Sequence, residues 1–153
     1  MSSRVQEIDR GWGRIRGQVQ EAQRKAVKIG IQEGEVREDG TDMVLIAAVN
    51  HFGTEDGRIP SRPFLTQAYD RNRDKINRQI QAEWDAVLSG TKAIDQALNG
   101  LGQMHTDHVQ REITRGNFPP NADSTVSKKG SSRPLIDTGR LRQSIRHVIE
   151  GGV

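Results

Sequence analysis

Apolar residues in the first segment recur at alternating spacings of three and four: Val5, Ile8, Trp12, Ile15, Val19, Ala22 and Ala26. That period gathers them on one side of a helix, with Arg and Gln on the other faces, and predicts an amphipathic helix over residues 4–27. Gly11, Gly13 and Gly17 fall inside it, each costing about 1 kcal/mol relative to Ala, so packing has to hold the helix together. Over residues 27–32 the pattern changes to alternation, with Val27, Ile29 and Ile31 against Lys28, Gly30 and Gln32. Period two is the mark of a half-buried strand, and the acidic, glycine-containing stretch after it is a turn. The first seven residues of MVLIAAVNHF, Met43–Phe52, are continuously apolar. Val44, Ile46 and Val49 would suit a strand, but Asp42 is placed to cap a helix, and a short buried helix is favoured.

Residues 53–63 carry two glycines and two prolines and predict a loop, with Arg62 pushed into an extended conformation by Pro63. Helical spacing returns over residues 64–88 at Leu65, Tyr69, Ile76, Ile80, Trp84 and Leu88, and Gly90 supplies a stop. Thr91 is the expected cap of a second helix carrying Ile94, Leu98, Leu101, Met104 and Ile113 and ending near Gly116, so the pair forms a helical hairpin. Residues 117–134 are rich in Pro, Ser, Gly and Lys and nearly devoid of apolar side chains, which predicts a long flexible loop, of which residues 120–132 can be removed with the fold intact. After a turn at Thr138 to Leu141, Ile145, His147 and Ile149 alternate with Ser144, Arg146 and Val148 as a strand that could pair with the first. The elements sum to an α+β fold: a small antiparallel sheet packed against long helices, with a helical hairpin and an extended surface loop, in one domain over 1–153.

Composition narrows the function. Only 33% of the 153 residues are hydrophobic and 4% aromatic, a thin core that subunit contacts are expected to supplement. No stretch approaches the roughly 18 apolar residues of a membrane span, and MSSRVQEIDR lacks the apolar run of a signal peptide. With no cysteine, disulfides, thiolate metal sites and cysteine nucleophiles are excluded together. The net charge of +3 conceals an asymmetry. Glu33, Glu35, Glu38, Asp39, Asp42, Glu55 and Asp56 crowd one region, whereas Lys128, Lys129, Arg133, Arg140, Arg142 and Arg146 crowd another. In a ring, such patches on opposite faces would orient neighbouring subunits head to tail.

Catalytic chemistry is sparse. His105 and His108 share a helix face, but two imidazoles are too few for zinc and the spacing is not His-Glu-x-x-His, so solvated helix positions are the preferred assignment and a metal-dependent hydrolase a distant one. His51, beside Phe52, suits packing or hydrogen bonding. Ser61, Ser124 and Ser144 lie in no nucleophile elbow, the glycines form no phosphate loop, and Glu55 and Asp56 are expected to be solvated. No enzymatic activity and no cofactor are expected. Lys128, Lys129, Arg133, Arg140, Arg142 and Arg146 could neutralise phosphates, which keeps a small nucleic-acid-binding protein as the alternative.

Two segments stand out as motifs. Ala48-Val49-Asn50-His51-Phe52-Gly53-Thr54 runs into Ile59-Pro60-Ser61-Arg62-Pro63-Phe64-Leu65, and Pro134-Leu135-Ile136-Asp137-Thr138-Gly139-Arg140-Leu141-Arg142-Gln143-Ser144-Ile145 follows far downstream. In this order they resemble the neck and tail-completion proteins of long-tailed bacteriophages, the virion morphogenesis family, over almost the whole chain. The resemblance implies a non-enzymatic virion subunit, assembled in the host cytoplasm into a ring, six-fold by expectation, that joins the DNA-filled head to the tail. Its implied partners are copies of itself and neighbouring head-closure and tail-terminator or tail proteins, with packaged DNA close by and no membrane. Asn50, Phe52, Gly53, Pro60, Arg62, Pro63, Phe64, Asp137, Thr138, Gly139, Leu141 and Ser144 would then be fold-defining or interface positions. Gly53 permits a positive φ, the two prolines stiffen the loop, Phe64 anchors it, and Leu141 points to the core.

Overall fold

A computed structural model describes residues 10–37, 39–129, 132–136 and 138–151. Val5, Ile8, Glu38, Asp137 and the side chains of Lys128 and Lys129 lie outside that description. The elements run α1 (Trp12–Gln23), β1 (Lys25–Ile31), α2 (Met43–Phe52), α3 (Phe64–Ser89), α4 (Ile94–Arg115), α5 (Asp123–Lys129), α6 (Arg140–Gln143) and β2 (Ile145–Gly151). The α+β architecture is as expected: a two-stranded antiparallel sheet lies against the α3–α4 hairpin.

The strands pair from Lys25 opposite Gly151 to Ile31 opposite Ile145. Val27, Ile29 and Ile31 therefore stand opposite Ile149, His147 and Ile145, and the two alternating series line the same face. That face packs on α4. Pairing explains why α1 stops at Gln23 instead of running to residue 27. Lys25, Ala26 and Val27 are drawn into the ladder opposite Gly151, Glu150 and Ile149, and the backbone bonds of the sheet displace further helix.

The main core joins Met43, Phe64, Ala68, Val109, Ile113, Phe118, Leu135, Leu141 and Ile145, all buried, with Ile29, Ile31 and Ile46 packed around them. A satellite cluster of Val87, Ile94 and Ala97 sits at the other end of the hairpin, covered by Ala22 of α1. Side chains of α1 also complete the backbone bonding there. Arg14 donates to the carbonyls of Val87 and Leu88 at 3.3 and 3.0 Å, and Gln18 accepts from the Ile94 N–H at 3.3 Å. One helix thus serves the free C-terminal end of α3 and the free N-terminal end of α4. Lys25 adds ion pairs of 2.6 Å to Glu21 and Asp95.

Several expectations are corrected. Thr91 does not cap α4: its hydroxyl and N–H both donate to the Ala86 carbonyl, closing α3, and α4 starts at Ala93, whose N–H is met by Gln96 Oε1. Inside the hairpin the buried positions include Ala68, Glu83, Ala97, Gly102, Thr106, His108 and Glu112, while Tyr69 and Ile80 are exposed. Phe64, Ile76, Val87, Ile94, Val109 and Ile113 are buried there as well, so small, polar and large apolar side chains share the interior. The segment 117–134 is not loop throughout, since it contains α5. It is also fastened at both ends, with Phe118 and Leu135 in the main core.

Candidate functional site

The site grows from α2 and the two motif segments. The Asp42 carboxylate accepts from the Val44 N–H at 2.7 Å and starts the helix. At its end Gly53 adopts φ 79°, and a Cβ there would sit 2.8 Å from both the Ile59 oxygen and the Ser61 nitrogen. Glycine is required on both counts. Beyond it the loop is tied back on itself: Thr54 N–H donates to Ile59 O at 3.0 Å, and Ser61 Oγ donates to His51 O at 2.8 Å. Asp56 accepts from the Thr54 hydroxyl at 2.6 Å and from the Arg58 N–H at 3.1 Å, bonds that hold its carboxyl below the usual carboxylate range.

Arg62 is the centre of the site. Only 4% exposed, its guanidinium donates to Asn50 Oδ1 at 3.1 Å, Pro119 O at 3.0 Å, Pro120 O at 3.0 Å and Asn121 Oδ1 at 3.2 Å. Its own N–H donates to Asn50 O at 2.9 Å, and Asn50 Nδ2 donates back to Ile46 O at 2.8 Å. The guanidinium's acceptors are all neutral, and burial lowers the arginine pKa from its ordinary value. The flat fork thus works as a bracket that clamps the start of the 117–134 segment onto α2. Pro63 then opens α3, Phe64 is wholly buried, and His51 meets the rings of Phe52 and Phe64 edge-on at 4.7 and 5.2 Å.

In the second motif, Leu135 is the one non-glycine residue with positive φ (62°) among the described residues. Its side chain is 4% exposed inside the main core, which holds the backbone in a conformation leucine otherwise avoids. Gly139, φ 78°, starts α6, whose Leu141 is buried, followed by buried Ser144 and Ile145. The two motifs converge. Asn50, Met43 and Ile46 face Leu135, Thr138, Arg140 and Leu141 across one shallow cleft.

Of the expected positions, Asn50, Gly53, Arg62, Phe64, Leu141 and Ser144 are built into this junction, with Pro60 half-buried beside it. Phe52 instead projects outward, 76% exposed, in company with Leu45 at 59% and Val44 at 39%. Helix α2 is therefore buried only along one side, contrary to the expected buried helix. An apolar cleft of about 210 Å³ runs beside that face, lined by Ile31, Val44, Ala47, Phe52, Leu65 and Ile145. The acidic and basic segments touch at one point within the chain. Arg146 pairs with Glu35 of the same chain at 3.2 Å, because the β1–β2 register sets residues just beyond Ile31 next to the start of β2. Arg133 and Arg142 are exposed, and Arg140 lines the motif cleft.

His105 and His108 lie with ring centroids 6.0 Å apart, but they are not solvated: His108 is buried and His105 half-buried, edge-on to Tyr69. Among the described residues no group of three His, Asp or Glu is placed to hold a metal ion, and no helix is long and apolar enough to cross a membrane. Sequence reasoning missed Pro119, Pro120 and Asn121 as acceptors of Arg62: the first two accept through backbone carbonyls, which leave no signature in a sequence, and the third through a side-chain amide brought close only by the fold. Compared with known family models, curated proteins and solved structures, the chain matches none.

Proposed function

We propose that the chain is a non-enzymatic structural subunit of a bacteriophage neck or tail-completion ring, joining the DNA-filled head to the tail. Copies of itself and adjoining head-closure and tail proteins are its partners, and the virion neck is its place. The supporting observation is the convergence of the two motif segments on one core and one cleft, from which α2 presents Val44, Leu45 and Phe52 outward. A rigid frame under an exposed apolar face suits docking, because little conformational freedom is left to lose on assembly. A second copy is the occupant proposed for that face. The mass of the purified complex tests this: a closed oligomer is expected, and Phe52→Asp with Leu45→Asp should reduce it to smaller species with unchanged helix content. A strictly monomeric wild-type chain at high concentration overturns the self-assembly, and failure of the double variant to block head–tail joining overturns the assignment of this face.

A further inference from the structure

A different surface, away from the exposed side of α2, carries a cluster of arginines. Between the C-terminal half of α4 and α6 lies an open cleft of about 470 Å³ flanked by Arg111, Arg115 and Arg142. Arg111 and Arg115 stand one turn apart on α4, and all three side chains are exposed. None of them forms an ion pair or side-chain hydrogen bond with another described residue. Nearby acids offset them only in part, since the lining sets three arginines against one carboxylate. Glu112, on the adjoining face of α4, is taken by Arg71 at 3.2 Å, and Asp107, the one carboxylate in the lining, is held by Gln103 at 3.0 Å. Burial first, then Arg111 and Lys75, lower the pKa of His108, while Asp107 acts in the opposite direction.

We infer that this α4–α6 cleft binds the phosphodiester backbone of nucleic acid without reading its sequence. Guanidinium forks match phosphate oxygens in pairs, and the remaining lining, Gln110, Thr114 and Gln143, is polar and suited to sugar and phosphate contacts. An acidic protein is the poorer fit, because the lining offers no aromatic or large aliphatic anchor of the kind that dominates protein interfaces. Lack of aromatic side chains also argues for a duplex rather than a single strand, whose bases need stacking platforms. The cleft shares no residue with α2, so the inference stands or falls apart from the assembly proposal.

Fluorescence anisotropy of a short labelled DNA duplex of mixed sequence, titrated with the full chain across a salt series, tests it. Binding should weaken linearly in log salt, and Arg111→Gln with Arg142→Gln should lower the slope by about two, roughly 0.9 for each phosphate contact removed. Arg16→Gln with Arg24→Gln, which removes the same charge from α1, should leave the slope nearly as it is. Both pairs are exposed, so thermal melting should coincide with wild type and sedimentation should be unchanged. Equal losses in the two double variants would show general charge attraction and overturn the site, as would failure to bind the duplex at low salt. Displacement of the duplex by poly-glutamate at matched charge would reassign the cleft to an acidic protein.

Discussion

Arg62 is the residue on which the most separate pieces of chain depend. Removing its side chain leaves the oxygens of Asn50, Pro119, Pro120 and Asn121 without their donor. Charged hydrogen bonds contribute about 1.5–3 kcal/mol each but not additively, so Arg62→Ala should cost about 3 kcal/mol in urea denaturation. Arg62→Lys should recover only part, since an ammonium cannot reach four acceptors in one plane. A loss below about 0.5 kcal/mol, the range of ordinary surface substitutions, would mean the bracket is replaceable by water. Histidines set the pH response. His51, His105 and His108 all have pKa values lowered by burial, with His108 opposed further by Arg111 and Lys75 and His105 by His108. The folded chain then binds fewer protons than the unfolded one below the unfolded value of about 6.5. Stability is accordingly full above that pH and declines as acid is added through the lower folded values. Asp39 and Asp56, lowered from 3.8, contribute their losses only at more acidic pH. Denaturation midpoints should fall from neutrality toward pH 5, and His105→Gln with His108→Gln should flatten that fall; an unchanged slope would exclude these two as its source.

Helices and strands differ in how plainly the sequence announced them. Bounds of α2 and α3 were legible because a capping Asp42 and two stop glycines, Gly53 and Gly90, bracket apolar runs. Alternation in 27–32 and 145–149 likewise located both strands and the face they share. The end of α1 was not legible, because only a distant partner strand decides it, and α5 was hidden in a composition that resembles loop. In the site, motif residues were visible but not all of their partners: two of the four acceptors of the Arg62 guanidinium are backbone carbonyls, which any residue owns, and Asn121 is brought close only by the fold. Packing between α4 and β2 shows the same limit at Gly102. A Cβ there would overlap the ring and Cβ of His147. Gly→Ala in a helix ordinarily gains about 1 kcal/mol, yet Gly102→Ala should lose about 1–3 kcal/mol through overpacking. Adding His147→Ala, which removes the ring but keeps the Cβ, should restore part of that loss. Two additive losses would show that the close approach is not the cause.

For the whole molecule, the division of labour is between a hairpin built from neighbouring residues and a sheet built from two strands more than a hundred residues apart. Helices α3 and α4 meet across a short connection, whereas β1 finds its partner only at the far end, opposite Ile145 to Gly151. Arg146 and Glu35 close the same distant seam. Long-range pairing is slow because the loop must be closed before any contact stabilises it. During synthesis β1 leaves the ribosome before its partner and stays unpaired until residues 145–151 have emerged, an open edge carrying Val27, Ile29 and Ile31 throughout. A chain cut before residue 145 should keep the helical signal of the hairpin but aggregate, while the intact chain should refold with the hairpin appearing first and strand pairing last in pulsed hydrogen exchange. Closing the sheet is therefore a check on length: only a copy translated through residue 151 can cover β1, so shorter copies are withheld from any assembly that requires the closed sheet.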